Sequence, residues 1–193
     1  AQNRPAFSFF SDEGFGPAVI TRLLASGRLP DGVAALDGGT QGIYLLPLLQ
    51  DARRLLVFDA VDFGRAPGEI VVLRDTDIPV FFGSRPLSLH QTAFTDVLAA
   101  AELTGKMPEK VTLVGVQLEN IDDWGGGLTA RIAGAMDEAI RIGLGELAAW
   151  TEEVNPLILL PSHACGGEGK MACNLTDLPL PNPLPQMGER TCA

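Results

Sequence analysis

The chain has 193 residues, of which 46% are hydrophobic, and it carries a formal net charge of −10. This length and composition suit one medium-sized domain with a substantial core, while the acidic balance excludes the basic footprint that binds nucleic acid or an anionic membrane. No apolar run approaches the roughly 20 residues that span a bilayer, and the start lacks a charged region followed by an apolar signal core, so we expect a cytoplasmic protein without membrane insertion.

Residues 1–153 alternate between helix-like and strand-like patterns. In chain order, the apolar periodicity predicts a helix over 17–26, a strand over 33–36, a helix over 43–49, a strand over 55–58, an edge or antiparallel strand over 69–73, a helix over 92–104, a strand over 110–116 and a helix over 128–150. The uninterrupted apolar run at 55–58 is typical of a central parallel strand. This order predicts a three-layer α/β/α sandwich with a mainly parallel, twisted sheet of about five strands.

The composition changes near residue 154. All three cysteines and a proline-rich run at 178–185 follow this point. Prolines at that spacing forbid a helix and discourage sheet pairing. We therefore predict a domain over 1–153 and an irregular, proline-rich tail over 154–193.

Three side chains suited to a metal-assisted site lie near the predicted ends of regular elements. Glu13 precedes the first helix, Asp59 closes a strand and His90 shortly precedes a helix. Because ligands of α/β proteins bind beyond the carboxyl ends of the strands, we expect these residues to meet at one rim together with Asp37. Two carboxylates and an imidazole suit nickel, zinc or another divalent transition metal, and three protein ligands leave a position for water or substrate.

Each of these residues also has a structural interpretation. Asp12 and Glu13 can favour a helix N-terminus, Asp59 can satisfy loop amides and His90 can begin a helix. Asp62 is either a second acid or a loop cap, and the pattern favours the cap. The glycines in 14–16 and 37–42 allow a third interpretation, a nucleotide-binding α/β protein, although a full G-x-G-x-x-G is absent.

Six ordered segments between about residues 11 and 150 resemble the hydrogenase maturation endopeptidases, which process the large subunit of nickel–iron hydrogenases. The matching segments are Asp12-Glu13-Gly14-Phe15-Gly16, Leu36-Asp37-Gly38-Gly39-Thr40-Gln41-Gly42, Phe58-Asp59-Ala60-Val61-Asp62-Phe63-Gly64, Ala66-Pro67-Gly68, Ser88-Leu89-His90-Gln91-Thr92 and Leu113-Val114-Gly115-Val116-Gln117. The resemblance implies an α/β/α fold and an endopeptidase that clips a short C-terminal peptide from the large-subunit precursor after nickel insertion. It leaves open whether the mechanism is of the aspartic type or a nickel-dependent metallo mechanism.

The resemblance also implies roles for particular residues. The catalytic and metal-contacting positions of the family fall on Glu13, Asp59 and His90. The segment Asp37, Gly38, Gly39 and Thr40 is expected to recognise the substrate. The nickel is expected to be that of the precursor, with no organic cofactor, and the chain is expected to act as a monomer on this protein partner and not on nucleic acid.

The resemblance ends at the N-terminal segment. Family members begin with a hydrophobic strand that leads into Gly-x-Gly-Asn, whereas this chain reads Arg4-Pro5-Ala6-Phe7. Pro5 removes a backbone donor where the central strand should pair, so we predict an altered or truncated first strand. A catalytically impaired relative that still binds the precursor is therefore an alternative to the active endopeptidase.

Overall fold

The computed structural model describes residues 11–38, 42–78, 89–120, 127–150 and 156–160. The helices are α1 (Phe15–Ser26), α2 (Leu46–Asp51), α3 (Leu89–Leu103) and α4 (Ala130–Trp150), and short 3₁₀ turns at Ser11–Gly14 and Gly42–Leu45 precede α1 and α2. The strands are β1 (Ala34–Asp37), β2 (Arg54–Val61), β3 (Ile70–Arg74), β4 (Lys110–Gln117) and β5 (Pro156–Leu160). Each helix and strand predicted within 1–153 is found, with ends that differ by a few residues.

The strands form one mixed sheet in the order β1-β5-β2-β4-β3. β1, β5, β2 and β4 are mutually parallel, whereas β3 runs antiparallel to β4 at the edge. The predicted α/β fold is confirmed, and so is the antiparallel edge strand predicted near residue 70.

The prediction of an irregular tail is wrong for its first part. Pro156–Leu160 form β5, which pairs with β1 and with β2. The apolar run after Pro156 is typical of a buried parallel strand, and a proline is tolerated as the first residue of a strand. The prediction missed this short apolar run because the composition farther along the chain is rich in proline. Residues 161–193 and the N-terminal segment 1–10 lie outside the described residues, so the altered or truncated first strand stays a prediction.

The two faces of β2 and β4 carry different helices. Side chains alternate between the faces of a strand, so even-numbered and odd-numbered residues of β2 point to opposite sides. Helices α1 and α4 pack against one face, together with Leu56, Phe58, Ala60, Val114 and Val116. Helices α2 and α3 pack against the other face, together with Leu55, Val57, Val61, Val111 and Leu113. The alternation therefore assigns Asp59 to the face covered by α2 and α3.

The carboxyl ends of the parallel strands form one edge of the sheet, and the predicted functional segments lie along it. The parallel strands β1, β2 and β4 all finish at this edge, and α1 and α3 begin there because each helix runs back to the start of the next parallel strand. We call this edge the carboxyl rim, defined by Asp37, Val61, Gln117 and the first residues of α1 and α3. Among the described helices, none is long and apolar enough to cross a membrane.

Candidate functional site

Asp59 is a buried carboxylate near the end of β2. The residue is 1% exposed, and its Oδ1 atom accepts a hydrogen bond of 2.8 Å from the backbone N–H of Ala60. Its Oδ2 atom is also buried. Across the ladder, Asp59 lies opposite Gly115 of β4. Ala60 belongs to β2, so this bond lies within the strand and not in a loop, where the structural interpretation of Asp59 placed it. A buried carboxylate near the carboxyl end of a strand is a candidate for a functional site.

Glu13 reaches the same edge from the other side of the sheet. It belongs to the turn Ser11–Gly14, which contacts β2 and leads directly into α1. The residue as a whole is partly exposed, but its Oε2 atom is buried. A carboxylate just before a helix is favoured by the positive end of the helix dipole. The segments that carry Glu13 and Asp59 are therefore in contact.

The backbone also brings the remaining candidates to the carboxyl rim. Asp37 is the last residue of β1, and the buried Gly38 follows it. His90 lies in the first turn of α3. The side chains of Asp37 and His90, and all of Gly39 and Thr40, lie outside what the structure describes.

The described part of the chain contains no group of three His, Cys, Asp or Glu side chains that could hold a metal ion. The imidazole of His90 falls outside that description. The metal-contacting trio of Glu13, Asp59 and His90 therefore stays a prediction.

Asp12 has a role that the sequence did not reveal. It is 0% exposed, and its carboxylate accepts three backbone hydrogen bonds from the connection between β4 and α4. Oδ2 accepts from Glu119 at 2.9 Å and from Asn120 at 2.8 Å, and Oδ1 accepts from Thr129 at 2.8 Å. The backbone N–H of Asp12 donates to the Asn120 carbonyl at 3.2 Å. The carboxylate therefore joins the turn that carries Glu13 to the far end of β4.

Gln117 similarly joins the loop after β2 to the end of β4. It is buried at the end of β4, and its Oε1 atom accepts hydrogen bonds from the backbone N–H groups of Phe63 at 2.8 Å and Arg65 at 3.2 Å. Its Nε2 atom donates to Asp62 Oδ1 at 2.9 Å. Asp62 Oδ1 also accepts from the backbone N–H of Gly64 at 3.0 Å, which confirms that Asp62 caps the loop.

A sequence signal for both residues existed but did not name their partners. An amide that closes an otherwise apolar buried strand must find hydrogen bonds inside the protein, which singles out Gln117. An acidic pair before a helix leaves open which member turns inward. The structure shows that Asp12 does so, whereas the sequence interpretation gave it an electrostatic role at the helix N-terminus.

Gly14 before α1 and Gly16 in the first turn of α1 do not form an open anion cradle. Gly14 and Gly16 are both buried, and the turn that contains Gly14 packs against β2. A phosphate would need access to these backbone N–H groups. The described residues thus give no support to a nucleotide site at 14–16.

Comparison with known proteins shows the family to which the chain belongs. The sequence model of a family described as "hydrogenase maturation protease" matches residues 17–146. The hydrogenase expression/formation protein HupD of Rhodobacter capsulatus is 50% identical over 145 residues, which cover 75% of this chain and 69% of that protein. The chain belongs to the hydrogenase maturation protease family.

Two further relatives support the assignment of this hydrogenase maturation protease. The hydrogenase expression/formation protein HoxM of Azotobacter vinelandii is 47% identical over 139 residues, which cover 72% of this chain and 67% of that protein. The solved structure of the hydrogenase maturating endopeptidase HybD from Escherichia coli matches with a TM-score of 0.68 and 34% identity, over 74% of this chain and 88% of that one. The predicted family and the predicted class, a hydrolytic endopeptidase of hydrogenase maturation, are confirmed.

Proposed function

We propose that this protease removes a C-terminal peptide from the nickel-loaded large-subunit precursor of a nickel–iron hydrogenase. The observation that carries the proposal is the contact at the carboxyl rim between the turn of Glu13 and β2, the strand that carries the buried Asp59. Family membership supplies the reaction class, hydrolysis of a peptide bond. The rim supplies carboxylates where a ligand of an α/β protein binds.

The chemistry of the rim fits this reaction. Hydrolysis of a peptide bond needs a water that loses a proton and a carbonyl that becomes polarised. A carboxylate can accept that proton as a general base, and carboxylates with an imidazole can also hold a divalent metal next to the carbonyl. We assign these roles to Glu13, Asp59 and His90, and we assign recognition of the peptide to the segment from Asp37 to Thr40.

The nickel in this proposal belongs to the substrate. A site with few protein ligands can contact a metal that the precursor already holds, and it can therefore distinguish a loaded precursor from an empty one. Two carboxylates and one imidazole are acceptable ligands for nickel. The proposal requires no organic cofactor.

The proposal also covers the layers of the fold, the cellular location and the oligomeric state. We propose a three-layer α/β/α sandwich around a twisted sheet of about five strands, supported by the two helix pairs that pack against opposite faces of β2 and β4. The cytoplasmic location and the monomeric state stay predictions.

Substitution of the three rim residues tests the proposed site. We expect Glu13→Gln, Asp59→Asn and His90→Ala each to lower kcat on a nickel-loaded precursor by about 100-fold or more, because each removes a proton acceptor or a metal ligand. Asp51→Asn is the matched control, since Asp51 is an exposed carboxylate at the end of α2, which leads into the start of β2 at the opposite edge of the sheet. The measurement is the initial rate of peptide release under saturating precursor.

The outcomes separate the competing functions. Full activity of Asp59→Asn and His90→Ala would contradict the proposed site. Binding of the loaded precursor without cleavage by the unsubstituted chain would instead indicate the catalytically impaired relative.

A further inference from the structure

We propose that Asp12 and Gln117 are positioning residues that set the separation between Glu13 and Asp59 by fastening both segments to the end of β4. The inference rests on the proposed function, because it assigns a catalytic consequence to these contacts. Neither residue was a candidate for the site in the sequence.

β4 provides a fixed reference at this end of the molecule. It pairs along its whole length with β2, from Arg54 opposite Lys110 to Val61 opposite Gln117. On its other side it pairs with β3. After its first residue, β4 is buried throughout. A strand held on both sides and buried on both faces has little freedom to move, so groups attached to its end share its position.

Asp12 attaches the Glu13 segment to this reference. Its carboxylate accepts hydrogen bonds from backbone N–H groups at both ends of the β4–α4 connection. The donors are Glu119 and Asn120 after the strand and Thr129 before the helix. Hydrogen bonds to an ionised acceptor are roughly twice as strong as neutral ones. Because Glu13 is the next residue in the same short turn, a shift of Asp12 moves the Glu13 backbone with it.

Backbone strain in the turn supports the same conclusion. Ser11 begins the turn with a φ of 29°, an uncommon value for a residue with a side chain. Ser11 is buried, and its hydroxyl donates to the Gly127 carbonyl at 3.1 Å. Strained residues persist where the surroundings over-determine them, often at functional sites. The turn is therefore held in a conformation that it would not keep by itself.

Gln117 attaches the Asp59 segment to the same reference. Its side chain binds the backbone of Phe63 and Arg65 and the carboxylate of Asp62, all in the loop that follows β2. The backbone adds a bond of 3.1 Å from the Leu118 N–H to the Val61 carbonyl. The last residues of β2, which carry Asp59, are thus fixed relative to β4 from the loop side as well as through the ladder.

A positioning role predicts a loss of turnover with little loss of binding. Catalytic groups must be held in the productive geometry, and a displacement of about 1 Å can cost roughly 100-fold in rate. Asp12 and Gln117 are buried, so we expect a bound precursor not to touch them directly. Changes at Asp12 or Gln117 should therefore lower kcat far more than they raise KM.

Asp12→Asn tests the first attachment with almost no change of shape. One carboxylate oxygen becomes an amide nitrogen, and either orientation of the amide points this donor at a backbone N–H. We expect faster hydrogen–deuterium exchange at the amides of Glu119, Asn120 and Thr129, and a fall in kcat of about 10- to 100-fold. KM for the nickel-loaded precursor should stay near its original value.

Gln117→Glu tests the second attachment by the same logic. The Nε2 donor becomes an oxygen that faces the Asp62 carboxylate, so the two acidic groups repel each other. The expected result is again a selective fall in kcat. If Asp12→Asn does not fold, Gln117→Glu tests the proposal by itself.

A control for general destabilisation comes from the other end of the same strand. Val111 is buried in the core near the start of β4, far along the strand from Gln117. We expect Val111→Ala to lower the melting temperature while kcat at a temperature well below unfolding stays unchanged. Folded variants of both Asp12 and Gln117 with unaltered kcat would overturn the proposal, and so would unaltered exchange at Glu119, Asn120 and Thr129 in Asp12→Asn. Absence of cleavage by the unsubstituted chain would instead count against the proposed function.

Discussion

The acidic residues Asp12, Asp59 and Asp62 near the carboxyl rim differ in their hydrogen-bond partners. Asp59 lies within a strand and faces the helices that cover one side of the sheet, whereas Asp12 and Asp62 direct their oxygens to backbone or side-chain N–H groups in loops. Burial of a carboxylate is costly unless hydrogen bonds compensate for the lost water. Hydrogen bonds to the connection after β4 and to the loop after β2 thus give Asp12 and Asp62 structural roles.

The pair Asp59 and Asp62 gives a direct test at this scale. We expect Asp62→Asn to keep precursor cleavage close to that of the unsubstituted chain, because the carbonyl oxygen of the new side-chain amide can still accept from Gly64 and Gln117. Asp59→Asn, with the same change of chemistry three positions earlier, should lose most of the activity. The initial rates of peptide release by the two variants, measured under saturating precursor, test this expectation. Equal losses of activity in both variants would indicate that Asp62 acts as a second acid.

The sequence could propose Glu13 and Asp59 as candidates, but it could not identify the hydrogen-bond partners of Asp12 and Gln117. An acidic residue at a helix start or a strand end is visible in the local pattern. The partners of Asp12 are backbone amides 107, 108 and 117 positions away, so no local pattern can contain them. The same applies to Gln117, whose contacts lie 52 to 55 positions earlier.

Helix α4 approaches β2 closely at one glycine. Gly143 is buried where the helix crosses the strand, and a Cβ atom added there would lie 3.0 Å from Phe58 Cε1 and 3.3 Å from Leu56 Cδ2. Both neighbours are fully buried side chains. The absence of a side chain at Gly143 therefore allows the helix to approach the strand that carries Asp59.

Two glycines of α4 make a matched pair for stability. We expect Gly143→Ala to lower the free energy of unfolding by about 1–3 kcal/mol, because a methyl group overpacks the contact with Phe58. Gly145→Ala, two residues later, should raise it by about 0.5–1 kcal/mol, because Gly145 is exposed with no atom within 4 Å of an added Cβ and alanine is the better helix former. Urea unfolding measures both changes, and a stabilised Gly143→Ala would contradict the described packing.

Elements within 1–153 were predictable because their apolar spacing is strong. A period of 3.6 residues marks α1, α3 and α4, and uninterrupted apolar runs mark β2 and β4. β5 was missed for a physical reason. Its few apolar residues follow a proline and precede a proline-rich segment, and its stability comes from pairing with β1 and β2, strands that are distant in the chain. A local sequence pattern does not identify such distant pairing partners.

At the scale of the whole molecule, topology brings the functional segments together. β1, β2 and β4 end at the carboxyl rim, and α1 and α3 begin there, so segments separated by up to about a hundred residues meet at one edge. The α/β pattern predicted this meeting through the general rule for ligand sites in such sheets. The distances between side chains could not follow from that rule, because the loops at the rim determine them.

The central claim is that this chain recognises the nickel-loaded precursor and cuts it once. The most direct measurement is intact mass spectrometry of a large-subunit precursor incubated with the full chain, with nickel-loaded and nickel-free precursor in parallel. We expect loss of a single C-terminal peptide from the loaded precursor and an unchanged mass for the nickel-free one. Equal cleavage of both precursors would contradict the role of nickel, and an unchanged loaded precursor in the presence of the folded chain would contradict the proposed activity itself.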